Sequence, residues 1–96
     1  MFIVSLTYTS PLDVVDRHLA DHVAWLKKEY ANGSFVASGR KVPRTGGVIL
    51  SMLDDRRALE RVLENDPFNR AGLADYEITE FVPSMTAEGF EILQSA

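Results

Sequence analysis

Apolar and polar residues alternate from Phe2 to Tyr8, with Phe2, Val4, Leu6 and Tyr8 on one side of the backbone and Ile3, Ser5 and Thr7 on the other. Successive side chains of an extended chain point to opposite faces, so the segment predicts a strand. The period then changes. Leu12, Val15, Leu19, Val23, Leu26 and Tyr30 fall on one stripe at helical spacing, with His22 on its edge, which predicts a single helix from Pro11 to about Ala31. Ser10 offers a capping oxygen, Pro11 a preset first helical position and Asp13 a negative charge near the positive helix end. Asn32-Gly33 offers a left-handed stop.

Beyond that stop, Ser34 to Gly39 and Gly47 to Leu53 read as two short strands joined by a hairpin loop over Arg40 to Gly46. Asp54 can cap a second helix from Asp55 to Glu64, with Leu59, Val62 and Leu63 turned inward. Asp75 to Val82 alternates again, placing Tyr76, Ile78 and Val82 opposite Glu77, Thr79 and Phe81. The order β-α-β-β-α-β predicts an α+β, ferredoxin-like unit with a four-stranded antiparallel sheet. Two helices cover one face of such a sheet, yet these strands are apolar on both faces. The open face is therefore expected to pack on a second copy, giving a homodimer through the sheet faces, or to close over a pocket.

Composition narrows the picture further. A chain of 96 residues holds one domain, read here as residues 1–96, with the core reaching about Pro83 and a tail over 84–96. A net charge of -4 with scattered Lys and Arg gives no footprint for a nucleic-acid backbone or an anionic membrane. The absence of cysteine removes thiolate nucleophiles and zinc-thiolate sites, and the opening segment has no basic leader-like region, so the expected location is cytoplasmic.

The candidate chemistry is sparse. His18 and His22 stand four residues apart on the first predicted helix, but a metal site normally needs a third protein ligand, and no metal is expected. His18 falls on the polar side. His22 borders the apolar stripe, where it is either a core histidine satisfied by a backbone carbonyl or a working imidazole. Asp66 precedes Pro67, which pushes it out of the helical region and ends the second helix. Its carboxylate serves either local turn chemistry or as the acceptor that fixes a histidine tautomer. The topology sets both helices on one sheet face, so the two residues can meet. Ser38 is either a turn serine or part of a pocket mouth, and Arg40, Lys41 and Arg44 form a basic loop suited to an anionic or phenolate ligand. Phe68 and Trp25 can stack on an aromatic ligand or simply pack. No GxGxxG, phosphate-cradling loop or GxSxG occurs, which argues against nucleotide and serine-hydrolase chemistry.

Taken together, His22-Val23-Ala24-Trp25-Leu26, Asn32 to Gly39, Gly47-Val48-Ile49-Leu50, and Asp66-Pro67-Phe68 followed by Gly72-Leu73 resemble the YCII-related (YciI-like) family of small dimeric α/β-barrel proteins. The resemblance implies a ferredoxin-like fold, dimerisation through the sheets and a pocket whose His-Asp pair maps onto His22 and Asp66; beside that pair, Ser38, Arg40 and Phe68 are the expected substrate-binding residues. It also implies dehydrohalogenation or isomerisation of hydroxylated ring compounds without an organic cofactor. Two departures stand out. The family often has an arginine three residues before the histidine, where this chain has Leu19, and a Gly-Pro after the second strand, where it has Gly39-Arg40. The anion contact then falls to Arg17, Arg40 or Arg44. The expected function is cofactor-independent acid-base catalysis on a small polar, cyclic or aromatic substrate. The alternatives are a binding or sensing module for the same ligand, and a purely structural or interaction role.

Overall fold

The computed structural model describes residues 1–95. Ala96, the last residue of the tail, lies outside the described residues. Four strands, β1 (Phe2–Tyr8), β2 (Phe35–Arg40), β3 (Gly46–Ser51) and β4 (Ala74–Glu80), form one sheet in the order β2-β3-β1-β4. Every pairing is antiparallel. With α1 (Leu12–Arg17) and α2 (Leu19–Ala31) after β1, and α3 (Arg56–Glu64) and α4 (Pro67–Arg70) after β3, this is the α+β ferredoxin-like arrangement. The last strand ends earlier than its alternation suggests, so Val82 lies beyond it and is exposed.

Register sorts the strands' side chains. Val4 pairs with Ile49 and Ile78, and Leu6 with Gly47 and Tyr76, so these residues share the helix-covered face. Ile3 pairs with Leu50 and Thr79 on the open face. Phe2, Val4, Leu6, Phe35 and Ile49 pack with Trp25 of α2 and with Leu59 and Leu63 of α3 in one buried cluster, each large apolar side chain contributing about 1.5–3 kcal/mol. Gly46 is forced by this pairing: a Cβ there would sit 1.8 Å from the Leu6 carbonyl oxygen.

The first helix departs from its sequence pattern. It is two helices, broken at His18 (φ -106°, ψ 1°), which closes α1 and opens α2. The apolar stripe runs continuously through the break, but its two halves serve different neighbours. Val15 of α1 joins Phe68 and Leu73 in a second buried cluster, whereas α2 turns His22, Trp25 and Glu29 inward. One straight rod could not aim both rows. The change of phase leaves Leu19, Val23 and Tyr30 half-exposed beside the core rather than in it, and puts His22 in the buried row rather than at its edge. Helix starts differ as well. Pro11, in extended conformation, is itself the cap of α1, with no side-chain hydrogen bond from Ser10. In α3 the cap is Asp55, accepting from the Arg57 amide at 3.1 Å, rather than Asp54. The α2 terminus follows its sequence signal: Gly33 (φ 79°) donates to the Tyr30 carbonyl and Ser34 to the Glu29 carbonyl, a paired closure that needs the left-handed glycine.

On the open face the tail folds back along one end of the sheet. The Phe81 amide donates to the Met1 carbonyl at 2.9 Å, and a short 3-10 turn spans Glu91–Ser95. Met1, Ile3 and Leu50 face Phe81, Phe90 and Leu93 across an apolar cavity of about 390 Å3.

Candidate active site

The segment after α3 makes the site. Pro67 begins α4 and Asp66, extended before the proline, caps it by accepting from the Phe68 amide at 3.0 Å. Gly72 (φ 67°) ends this short turn, donating to Asn69 while Leu73 donates to Phe68. A cap built this tightly fixes the direction of the Asp66 carboxylate. The same Oδ1 lies 2.7 Å from His22 Nδ1, and Oδ2 accepts from the Tyr76 hydroxyl at 2.5 Å. Asp66 is fully buried, and the His22 side chain is 11% exposed.

Charge explains how this buried carboxylate is tolerated. An ionised carboxylate with no partner would cost several kcal/mol in the interior, and three donors converge on this one. A carboxylate only accepts, so the backbone amide, the phenol and the histidine Nδ1–H each donate to it. Tautomer follows from geometry: Nδ1 carries hydrogen and Nε2 remains as the nitrogen able to act on a molecule in the cleft. Tyr76 is held as a donor. Burial first, then the hydrogen bond to Asp66 and that carboxylate's charge, with a smaller contribution from Tyr8, push its phenol far above the ordinary range. The imidazole lies flat on the Phe68 ring, centroids 3.9 Å apart and planes within 6°, and Tyr8 meets Phe68 edge-on at 5.9 Å. Ring and carboxylate together leave the imidazole little freedom to turn.

His22 and Phe68 open onto a cleft of about 370 Å3 between α2 and the β2-β3-β1 part of the sheet. Leu19, Val23 and Leu26 line its helix side, and Leu6 and Ile49 its sheet side. Leu19 and Val23, two of the helical residues that left the core pattern, are thus part of the cleft wall. Ser38 and Arg40 line it from β2, and Tyr8 and Arg44 from β1 and the hairpin loop. Ser38 is already engaged with the Tyr30 hydroxyl at 2.6 Å. Arg44 is paired to Asp16 at 2.5 Å and sits over the Tyr8 ring, 6.0 Å from its centroid; Asp16 raises its pKa.

The five residues singled out in the sequence, His22, Asp66, Ser38, Arg40 and Phe68, therefore meet around one cleft, with Asp66 immediately behind the imidazole. Arg17 and Lys41 stay away from it. Arg17 pairs with Asp13 on its own helix at 3.4 Å, and Lys41 reaches Thr7 on the open face at 3.3 Å. His18 marks the helix break instead. No cluster of three or more metal-ligating side chains forms among the described residues, and no helix among them is long and apolar enough to cross a membrane. Sequence reasoning took Tyr76 only as one residue of an alternating strand. Its one signal was a phenol on the covered face, where a buried hydroxyl needs a partner.

Comparison with known proteins agrees with this frame. A family model, the YCII-related domain, matches residues 1–82. No match is found among curated proteins. Among solved structures, the fold is similar to that of 5-chloro-2-hydroxyhydroquinone dehydrochlorinase (TftG) from Burkholderia phenoliruptrix, in complex with 2,5-dihydroxybenzoquinone. The TM-score is 0.70 at 22% identity, covering 84% of this chain and 93% of that chain. At this identity the likeness is one of fold.

Proposed function

The chain belongs to the YCII-related domain family, and we propose that it is a cofactor-independent enzyme in which His22, oriented by Asp66, moves protons on a small hydroxylated ring compound. The observation that carries this reading is the 2.7 Å contact between His22 Nδ1 and a fully buried Asp66 carboxylate, which commits one imidazole nitrogen and leaves the other for a molecule in the cleft that His22 lines. A similarly folded 5-chloro-2-hydroxyhydroquinone dehydrochlorinase, in complex with 2,5-dihydroxybenzoquinone, supports the same chemistry here.

The mechanism needs one base. Nε2 takes a ring hydroxyl proton, the oxygen lone pair becomes a carbonyl, and the ring electrons accept the proton back from the imidazolium at the adjacent carbon. That is an isomerisation. If the carbon carries a halide, deprotonation of a second hydroxyl conjugated with it forms another carbonyl and expels halide with its bonding pair, for net loss of HX. Asp66 stays ionised and stabilises the imidazolium, and Tyr76 holds the second carboxylate oxygen in place. A positioned acid-base group of this kind typically supplies about 100- to 10,000-fold in rate.

The part of the open sheet face that the tail does not cover is the surface on which a second copy would pack in a homodimer, and light scattering would test it. The catalytic reading is tested with a panel of hydroxylated and halogenated ring compounds. His22→Ala should abolish proton exchange and elimination while retaining most ligand binding. Equal loss of binding, with no turnover of any compound by the native protein, would favour a binding module.

A further inference from the structure

The substrate class of this cleft can be narrowed, taking as given the reading above that it is a substrate site. The chain is acidic, with net charge -4, yet its cleft is lined by Arg40 and Arg44 and, among the described residues, by no aspartate or glutamate. The two cations are not equivalent. Arg44 is held by Asp16 at 2.5 Å, so most of its charge is already answered inside the chain. The Arg40 guanidinium has no ion-pair partner among the described residues.

Strand register puts Arg40 there. It pairs with Gly47, which pairs with Leu6 on the helix-covered face, and Ser38 two residues earlier shares that face. The next residue, Lys41, contacts Thr7 on the opposite side. Gly47 contributes no side chain to the row, which leaves the floor open between Leu6 and Arg40. Across the cleft stand Leu19, Val23 and Leu26, side chains suited to the face of a flat ring. An apolar slot thus carries one oriented imidazole and one unanswered planar cation. Guanidinium is a rigid fork that matches a carboxylate bidentately, and Arg40 offers that fork at the exposed mouth of the cleft.

We propose that the cleft takes a monocyclic hydroxylated aromatic carboxylate, its carboxylate gripped by Arg40 and its ring hydroxyl presented to His22. Specificity for an acidic ring then resides in β2, separate from the acid-base pair on α2 and α4.

The test is binding, read by calorimetry, of 2,5-dihydroxybenzoate against hydroquinone, which lacks only the carboxylate. The native protein should prefer the carboxylate roughly 10-fold or more, the scale of one charge-assisted contact. Arg40→Ala should erase most of that preference with hydroquinone affinity and melting temperature unchanged, and Arg40→Lys should restore part of it. Raising salt should weaken the preference. Equal affinity for the two compounds, binding of neither at millimolar concentration, or a preference untouched by Arg40→Ala would overturn the proposal. So would a preference lost only in Arg44→Ala. His22→Ala should keep the preference. If it does, and no compound is turned over by the native protein, the carboxylate site stands and the acid-base reading falls.

Discussion

The sheet carries a cavity on each face, about 370 Å3 beneath α2 and about 390 Å3 beneath the C-terminal tail. Size does not distinguish them. The first holds an imidazole backed by a carboxylate with three donors, two arginines and two hydroxyls. The second is walled by Met1, Ile3, Leu50, Phe81, Met85 and Phe90, with Thr86 as its one polar side chain among the described residues. Its tail side is loosely held, since Met85 and Phe90 remain mostly exposed. A functional cavity is marked by convergent polar groups whose positions are each fixed by more than one contact. Only the helix-covered cavity meets that standard.

The largest effect should come from Asp66, where the contrast is concentrated. Asp66→Ala removes the helix cap and leaves the Tyr76 hydroxyl, the Phe68 amide and the His22 ring without their acceptor. The expected cost is about 3–5 kcal/mol, read as a lower urea midpoint. Under the acid-base reading, turnover also falls about 100- to 10,000-fold in any variant that still folds. A loss within 0.5 kcal/mol would mean that the network is not what holds the covered cavity together.

The phenylalanines give the sharpest internal control. Phe68 is 1% exposed and stacks on His22, whereas Phe90 is 58% exposed above the other cavity. Phe68→Ala should destabilise by about 3–5 kcal/mol and Phe90→Ala by no more than about 1 kcal/mol. Comparable losses would show that the tail cavity is as tightly built as the helix-covered one. Between these lies Gly46→Ala, which must push the Leu6 carbonyl aside at the β1-β3 pairing. About 3 kcal/mol is expected, and a melting temperature equal to that of the native chain would show that the pairing yields without cost.

What could be read in the sequence follows the same division between local and tertiary causes. Alternation placed Phe2, Val4 and Leu6 on the covered face because a period of two is a property of the strand itself. Gly33 marked its helix end because only a local conformation was needed. The break at His18 was hidden, since the apolar stripe passes through it without interruption and only the separate neighbours of Val15 and Trp25 call for it. His22 and Asp66 are 44 positions apart, and no spacing rule pairs them; the family resemblance suggested what the contact displays. The two readings of Asp66, turn acceptor and histidine partner, turned out to be compatible, for one oxygen serves both Phe68 and His22. Tyr76 escaped notice because its role depends on β4 lying beside the α4 cap, which no local pattern encodes.

Tyr76 supplies the mildest test and the one most specific to the helix-covered cavity. Tyr76→Phe deletes one donor to a buried carboxylate while keeping the ring, at an expected cost of about 1.5 kcal/mol near neutral pH. Its pH dependence has a definite sign. The folded phenol is raised above the unfolded value of about 10 by burial, by its bond to Asp66 and by that carboxylate's charge. The stabilisation is therefore complete below about pH 10 and is lost progressively above it, where the unfolded chain releases a proton that the folded chain retains. Urea midpoints measured from pH 8 to about pH 11 should show the native chain losing its advantage over Tyr76→Phe as the pH passes about 10, with the variant's own curve the flatter of the two. Parallel curves would mean that the phenol ionises alike in both states, and Tyr76 would then no longer count among the groups that fix Asp66.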